Sequence, residues 1–301
     1  MSWQSPFAQP GHWFKGNLHT HTTQSDGRLS PTEAVSWYRE HGYDFVAITD
    51  HWVVTQGATL TTDAGFLVLT GAELHGASYH MLTLGLNALP DREQADAPAA
   101  IAAAVRAQGA LAYFAHPYWM GQTSADIAAV PEINGLEIFN SVCEMMDGLG
   151  YSFIHWDELL ARGLRLTGLA VDDVHWKHGA EGQGFVIVRA AELTEPAILD
   201  ALRRGAFYAS TGPTISDLRV APQADGRLAL QVRCSPCEMI TFHGRASSGH
   251  RFRAAAGATL DGAAWPLKAD QVYLRVECRD GAGRTAWSNP VFVEDVLGPA
   301  H

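Results

Sequence analysis

Two imidazoles stand two residues apart in Leu18-His19-Thr20-His21. On an extended segment, positions i and i+2 point to the same side, the arrangement that two ligands of one metal ion need. Asp26 follows in a Ser25-Asp-Gly27 turn, and more groups of ligand type recur beside later apolar runs. Asp50-His51 follows residues 45–49, Glu73 follows 66–69, His80 enters the next run, His116 closes 110–115, and Asp173 and His175 close 164–171. Six of the 14 histidines thus fall at run edges, with carboxylates beside them. A buried imidazole or carboxylate without a partner is costly, and bound cations would supply the shared partner. Nine candidates (His19, His21, Asp26, His51, Glu73, His80, His116, Asp173 and His175) exceed what one tetrahedral ion can use. They call for two or three divalent metals, with a carboxylate such as Glu73 able to bridge two of them. The chemistry is hydrolysis: two cations hold a water between them and lower its pKa toward neutrality. The resulting metal-bound hydroxide attacks phosphorus or a carbonyl carbon.

These residues need elements to position them. Ser30-Pro-Thr-Glu33 reads as a helix start, with Ser30 as N-cap, Pro31 first and Glu33 third, and Gly42 stops that helix. Residues 45–49, 66–69, 79–84, 110–115, 135–139, 164–171 and 184–188 read as strands; 98–108, 157–162 and 196–204 read as helices. Such alternation predicts a parallel α/β architecture, a barrel or an open sheet. In β/α folds the C-terminal strand ends carry the active site. After Thr211-Gly-Pro213 the helical pattern stops, and short alternating runs follow, separated by turns such as Asp225-Gly226 and Asp261-Gly262. This predicts a domain over 1–212 and an antiparallel β-sandwich over 213–301, a size typical of that architecture.

The composition is that of a globular protein, 47% hydrophobic and 18% charged, with formal net charge -11. Such a surface repels nucleic acid; a small anionic substrate stays open where bound cations invert the local field. Four cysteines are too few and uneven for a disulfide framework, and Cys234-Ser-Pro-Cys237 lacks the second pair of a zinc ribbon. These cysteines read as ordinary small residues in or near strands. The N-terminus has no signal-peptide pattern and no run of 18 apolar residues occurs, so the expected location is the cytoplasm, without a membrane partner. Oligomeric state stays open.

The ordered set Asn17-Leu-His-Thr-His21, Ser25-Asp-Gly27, Ile48-Thr-Asp-His51, Gly71-Ala-Glu73, Tyr79-His80, Ala115-His-Pro117 and Asp172-Asp-Val-His175 resembles the polymerase-and-histidinol-phosphatase (PHP) family over residues 15–210. Each piece alone is weak; the order and spacing make the match specific. The resemblance implies a distorted seven-stranded β/α barrel, two or three ions of zinc, manganese or iron, and hydrolysis, most often of phosphate esters. Phe207-Tyr-Ala-Ser-Thr-Gly-Pro213 and Ala286-Trp-Ser-Asn-Pro290 are similar to larger members with an appended β-sandwich, related to carbaryl hydrolase, some of which cleave carbamate or amide-like bonds. The family's closing Asp-x-His is doubled here. Spacing favours Asp173 as the ligand, with Asp172 behind it; Asp50 is expected to orient an imidazole.

Asp173, touching both metal and water, is the expected proton shuttle. Arg28, Lys177, His178 and Tyr118 are candidate substrate contacts, with Tyr118-Trp119 as a wall. His12, His41, His155, His243, His250 and His301 are expected to be surface or satisfied core residues, while His75 and His178 lie close enough to a motif to line a pocket. Gly182-Gln-Gly184 lacks the third glycine and the helix of a dinucleotide site. A different class remains, a non-catalytic metal- or carbohydrate-binding protein, against which the full ligand set argues.

Overall fold

A computed structural model describes residues 3–61 and 65–298; His301 lies outside the described residues. The first part of the chain lays down β1 (His12–Asn17), α1 (Pro31–Glu40), β2 (Phe45–Ile48), β3 (Leu67–His75), β4 (His80–Leu84), α2 (Pro98–Arg106), β5 (Leu111–Ala115), α3 (Ser124–Ala128), β6 (Gly135–Asn140), α4 (Ser141–Asp147), α5 (Phe153–Ala161) and β7 (Thr167–Val171). β1 to β7 lie side by side in chain order. The run's two ends meet beyond the last residues of β1 and β7: Thr20 and Val174 form a parallel bridge. There His21 N–H donates to Val174 O and Asp173 N–H to His19 O, each at 3.0 Å.

The pairing is mixed, not purely parallel. β1, β2 and β3 are parallel, β4 is antiparallel to both β3 and β5, and β5, β6 and β7 are parallel again. Only residues 76–79 join β3 to β4. A parallel crossover needs a dozen or more residues, so this link can only make a hairpin. β3 also runs on through Gly71-Ala-Glu73, which puts Glu73 inside a strand instead of after one.

Both faces of the run are covered, which is why its strands read as unbroken apolar runs. Phe45 and Ala47 of β2 face inward with Leu18, Leu82, Tyr113 and Val171, while Val46 and Ile48 face Ala34, Val35 and Tyr38 of α1. The start of α1 follows the sequence reading: Ser30 Oγ accepts from Glu33 N–H, and Glu33 Oε2 accepts from Ser30 N–H at 2.8 Å. Its end leaves His41 exposed and stacked on Trp37. His12 and His250 are exposed too, as expected.

The chain continues through β8 (Phe185–Ala190), α6 (Glu195–Arg203), β9 (Phe207–Ser210), β10 (Ile215–Pro222), β11 (Leu228–Cys237), β12 (Met239–Gly244), β13 (His250–Arg253), β14 (Leu260–Pro266), β15 (Tyr273–Arg279), β16 (Thr285–Ser288), β17 (Val291–Phe292) and α7 (Glu294–Leu297). β8 is antiparallel to β1, and from it the same sheet runs on through β9, β16, β15, β12 and β13. β10, β11 and β14 form a separate three-stranded sheet. Leu230, Val232, Cys234 and Cys237 from this sheet share a core with Ile240, Phe242, Val276 and Cys278 from the large one. The cysteines are free and buried. Residue 212 lies in the loop between β9 and β10, yet the large sheet crosses that point, with Ala286 opposite Ser210.

An ion pair with a buried guanidinium reinforces the crossing. Arg275 on β15 is fully buried and forks onto Asp157 of α5, with Nε and Nη2 donating at 2.7 and 2.6 Å, and Tyr273 donates to the same carboxylate at 2.9 Å. Among the described residues no helix is long and apolar enough to cross a membrane.

Candidate metal centre

All nine ligand candidates gather where the ends of β1 and β7 meet. Glu73 is the hub: its carboxylate lies 3.3 Å from His19 Nε2, 3.2 Å from His21 Nε2, 3.0 Å from His51 Nδ1, 2.8 Å from His80 Nδ1 and 3.2 Å from His116 Nε2. Asp173 Oδ1 is 3.2 Å from His19 Nε2 and 3.0 Å from His21 Nε2. Asp26 reaches His175 Nε2 at 3.1 Å and His21 Nδ1 at 3.5 Å. Burial grades outward. His19, His21, Glu73, His116 and Asp173 are buried, whereas His51, His80 and His175 are partly open and Asp26 is exposed.

The local backbone is shaped for this convergence. Asp173 and His116 sit at positive φ, 54° and 28°, as do Trp52 and Trp176 beside the other motifs. Non-glycine residues held there store strain that persists only where the surroundings enforce it, commonly at functional sites. The loop carrying Asp26 folds back on His21. A Cβ on Gly27 would meet His21 O at 2.4 Å, which is why the turn needs glycine.

Donor chemistry fits divalent ions. Three overlapping sets have ligand atoms within 4.8 Å of one another: His19, His21 and Asp173; His51, Glu73 and His80; and His21, Asp26, His51 and His175. Glu73 Oε2 and Asp173 Oδ1 are buried with no hydrogen-bond partner, as are His51 Nδ1 and His116 Nδ1. A buried carboxylate oxygen left without a donor is costly, and a cation is the partner this arrangement lacks.

The electrostatics point the same way. Burial opposes charging His19, but Asp173, Glu137 and Glu73 outweigh it and hold the imidazole well above its usual range. His21 likewise rises to about 9, burial being overcome by Asp173 and Glu73. Burial would raise Glu73, yet His19 and its neighbours hold that carboxyl well below the usual range. Asp173 is lowered in the same way. The carboxylates favour positive charge on the imidazoles, and the same field would favour divalent cations in place of those protons.

The supporting residues differ from the sequence reading. Asp50 does not touch an imidazole. Its carboxylate accepts from Thr22 N–H at 2.7 Å, Thr22 Oγ1 at 2.6 Å and Ser25 Oγ at 2.5 Å, so it fixes the loop that brings in Asp26. Asp172 faces away from the cluster. It accepts from Tyr38 OH at 2.7 Å and from the N–H groups of Gly182, Gln183 and Gly184 at 2.8, 2.9 and 2.8 Å. Gly182-Gln-Gly184 thus binds a carboxylate of its own chain. Asn17, fully buried, links that cradle to the ligands: Oδ1 accepts from Asp172 N–H at 3.0 Å, and Nδ2 donates to His19 O at 3.0 Å.

Sequence reading missed Glu137 and Asn140 on β6. Glu137, fully buried, accepts from His19 Nδ1 at 2.6 Å, from His116 N–H at 2.8 Å and from Asn140 Nδ2 at 2.9 Å. Asn140 Nδ2 also donates to Asp173 Oδ2 at 3.0 Å. The signal was present: a carboxylate in the middle of Gly-Leu-Glu-Ile-Phe has no place in a buried strand without a partner.

The cluster lines a cavity of ≈ 280 Å³ together with Trp119, Val142, Cys143 and Met146. Lys177 and His178 line it; Arg28 and Tyr118 do not. Arg28 is exposed, with its backbone N–H on His175 O, and Tyr118 turns toward His155. The aromatic wall is Trp119, whose indole N–H donates to Asp147 at 2.8 Å. His75 packs beside His51 and His80, behind the cavity lining.

The class defined so far is a mixed α/β protein with a histidine–carboxylate cluster suited to several cations. No protein-family model matches the sequence, and neither does any curated protein. In fold, the chain is similar to a two-domain protein containing a predicted PHP-like metal-dependent phosphoesterase from Bacteroides vulgatus. That likeness covers 89% of this chain and 91% of that one, at 16% identity and a TM-score of 0.54. A candidate metal-dependent phosphoesterase from Bifidobacterium adolescentis aligns over 63% of this chain and 96% of its own, at 17% identity and a TM-score of 0.44. An amidohydrolase from Chromobacterium violaceum, with bound sulfate and no metal, aligns over 53% and 87%, at 15% identity and a TM-score of 0.37.

Proposed function

We propose that this chain is a metal-dependent hydrolase of PHP type that holds two or three divalent ions (zinc, manganese or iron) and cleaves a small, anionic phosphate ester. The observation that carries this reading is Glu73: one buried carboxylate in contact with five imidazoles, with His21 and His51 each shared between two of the three donor sets. Such sharing is what closely spaced ions require. The closed run β1–β7 then reads as the distorted seven-stranded barrel over 1–212, and the two C-terminal layers as a sandwich over 213–301.

Bound ions would supply Lewis acidity and an activated water. His19, His21, Asp26, His51, Glu73, His80, His116, Asp173 and His175 would hold them. Asp173 Oδ1, buried and without a protein donor, would take a proton from the attacking water. Lys177 lines the cavity and donates to Asp26 O, so its ammonium is near enough to steady an anionic group.

The apolar side of the cavity favours a second reading. Trp119, Val142 and Met146 would suit a bulky carbamate or amide held over the same ions. The test is hydrolysis by metal-replete protein of a phosphomonoester and diester panel beside an aryl carbamate and amide panel. Turnover of phosphoesters supports the first reading. Turnover of carbamates or amides alone supports the second, and ion uptake with no turnover leaves a metal-binding protein.

A further inference from the structure

We infer that Glu137 and Asn140 form a positioning buckle that fixes three ligands from three different strands and joins them to the substrate wall. This inference rests on the metal-centre reading above. Every other strand from β1 to β7 carries a ligand candidate within it or just past one of its ends, except β6. What β6 carries instead is Glu137 and Asn140, three residues apart and both fully buried.

Glu137 divides its two oxygens. Oε1 accepts from His19 Nδ1 at 2.6 Å. Oε2 accepts from His116 N–H at 2.8 Å and Asn140 Nδ2 at 2.9 Å. A carboxylate only accepts, so His19 donates through Nδ1 and turns its Nε2 toward Glu73 and Asp173. The same carboxylate pins the backbone at His116, where φ is 28°. Asn140 extends the chain to Asp173 Oδ2 at 3.0 Å, which leaves Oδ1 for the centre. Asn140 Oδ1 meanwhile accepts from Cys143 N–H at 3.1 Å and so caps α4. That helix supplies Val142, Cys143 and Met146 of the wall, and Asp147, which holds Trp119. One buried pair therefore sets a ring tautomer, a strained backbone, a carboxylate orientation and the helix facing the ligands.

The division of oxygens makes an isosteric substitution informative. In Glu137→Gln, the two donors on the Oε2 side hold the amide oxygen there. The NH₂ then faces His19 Nδ1, which must accept. The proton moves to Nε2, and that nitrogen can no longer bind an ion. Outer groups of this kind typically change metal affinity about 10–100-fold.

The experiment is calorimetric titration of metal-stripped protein with Mn²⁺ and with Zn²⁺, with circular dichroism and a thermal melt on each stripped variant. The expected result is a folded Glu137→Gln whose affinity for at least one ion falls about 10–100-fold. In a His19→Ala background the same change is expected to have almost no further effect, because the amide keeps the bonds to His116 and Asn140 and alters only the His19 side. A merely structural role would lower the melting temperature and leave affinity alone; a folded Glu137→Gln with wild-type affinity overturns the proposal. Asn140→Ala is the second variant and decides the matter if Glu137→Gln does not fold. It keeps the Glu137–His19 bond but removes the donor to Asp173. Weaker ion binding supports the buckle, and unchanged affinity overturns it. A wild-type chain that takes up neither ion would instead overturn the metal-centre reading itself.

Discussion

His19 Nε2 and His21 Nε2 face each other across 3.1 Å, and both imidazoles are fully buried. Glu137 accepts a hydrogen bond from His19 Nδ1, so the neutral form of that ring turns the lone pair of Nε2 toward His21. Two such nitrogens repel unless a proton or a cation lies among them, and Asp173 Oδ1 stands 3.2 and 3.0 Å from the same two atoms. The trio is the most enclosed of the three donor sets.

His21 belongs to two donor sets and His80 to one. His21→Ala is therefore expected to lose more bound metal than His80→Ala, by at least one ion per chain. Elemental analysis of the folded variants after desalting measures this. Equal stoichiometry in the two would break the assignment of shared ligands.

Metal removal is expected to lower stability. Ions that bind only the folded chain stabilise it by about 2.7 kcal/mol at a hundredfold excess over Kd. For a chain of this size that is roughly 4 °C in Tm. Differential scanning calorimetry before and after chelation reads the shift, and readdition of the metal is expected to restore it.

The doubled aspartate separates into two jobs. Asp172→Asn puts an NH₂ where four hydrogen-bond donors converge, and is expected to cost about 1–3 kcal/mol of stability. Asp173→Asn is expected to lower metal content and turnover, which Asp172→Asn affects far less. Urea denaturation beside metal analysis distinguishes them; the reverse pattern would exchange the roles.

Arg275 is buried against Asp157 across the junction between α5 and β15. Asp157→Ala leaves that guanidinium without its main counter-ion and is expected to destabilise by about 3 kcal/mol. The sheet crosses residue 212, so unfolding of the full chain is expected as one transition. A calorimetric scan with two separated transitions would show that the C-terminal layers fold independently.

Trp119 lines the cavity and packs edge-on against His116, with ring centroids 5.2 Å apart. Trp119→Ala is expected to reduce kcat/KM by roughly 10–200-fold for substrates with a bulky apolar group, and much less for small ones, with metal content unchanged. Kinetics on paired alkyl and aryl substrates give the ratio.

The sequence by itself determined which residues gather at the candidate site. His19 and His21 share one face by strand geometry, and His51, His116 and Asp173 stand at the ends of apolar runs, where buried strands stop. α1 was legible from Ser30, Glu33 and Gly42 because capping is local. Tertiary structure alone decided what lies behind the ligands. Asp172 and Asp173 are neighbours in the chain, yet their side chains go to different partners, the Gly182–Gly184 loop for Asp172 and Asn140 for Asp173. Asp50 was read as an imidazole's partner and is a loop's. Glu137 went unread because its partners, His19 and His116, lie 118 and 21 residues away. Motif spacing reports neighbours along a strand, whereas a hydrogen bond between strands exists only once the sheet has closed.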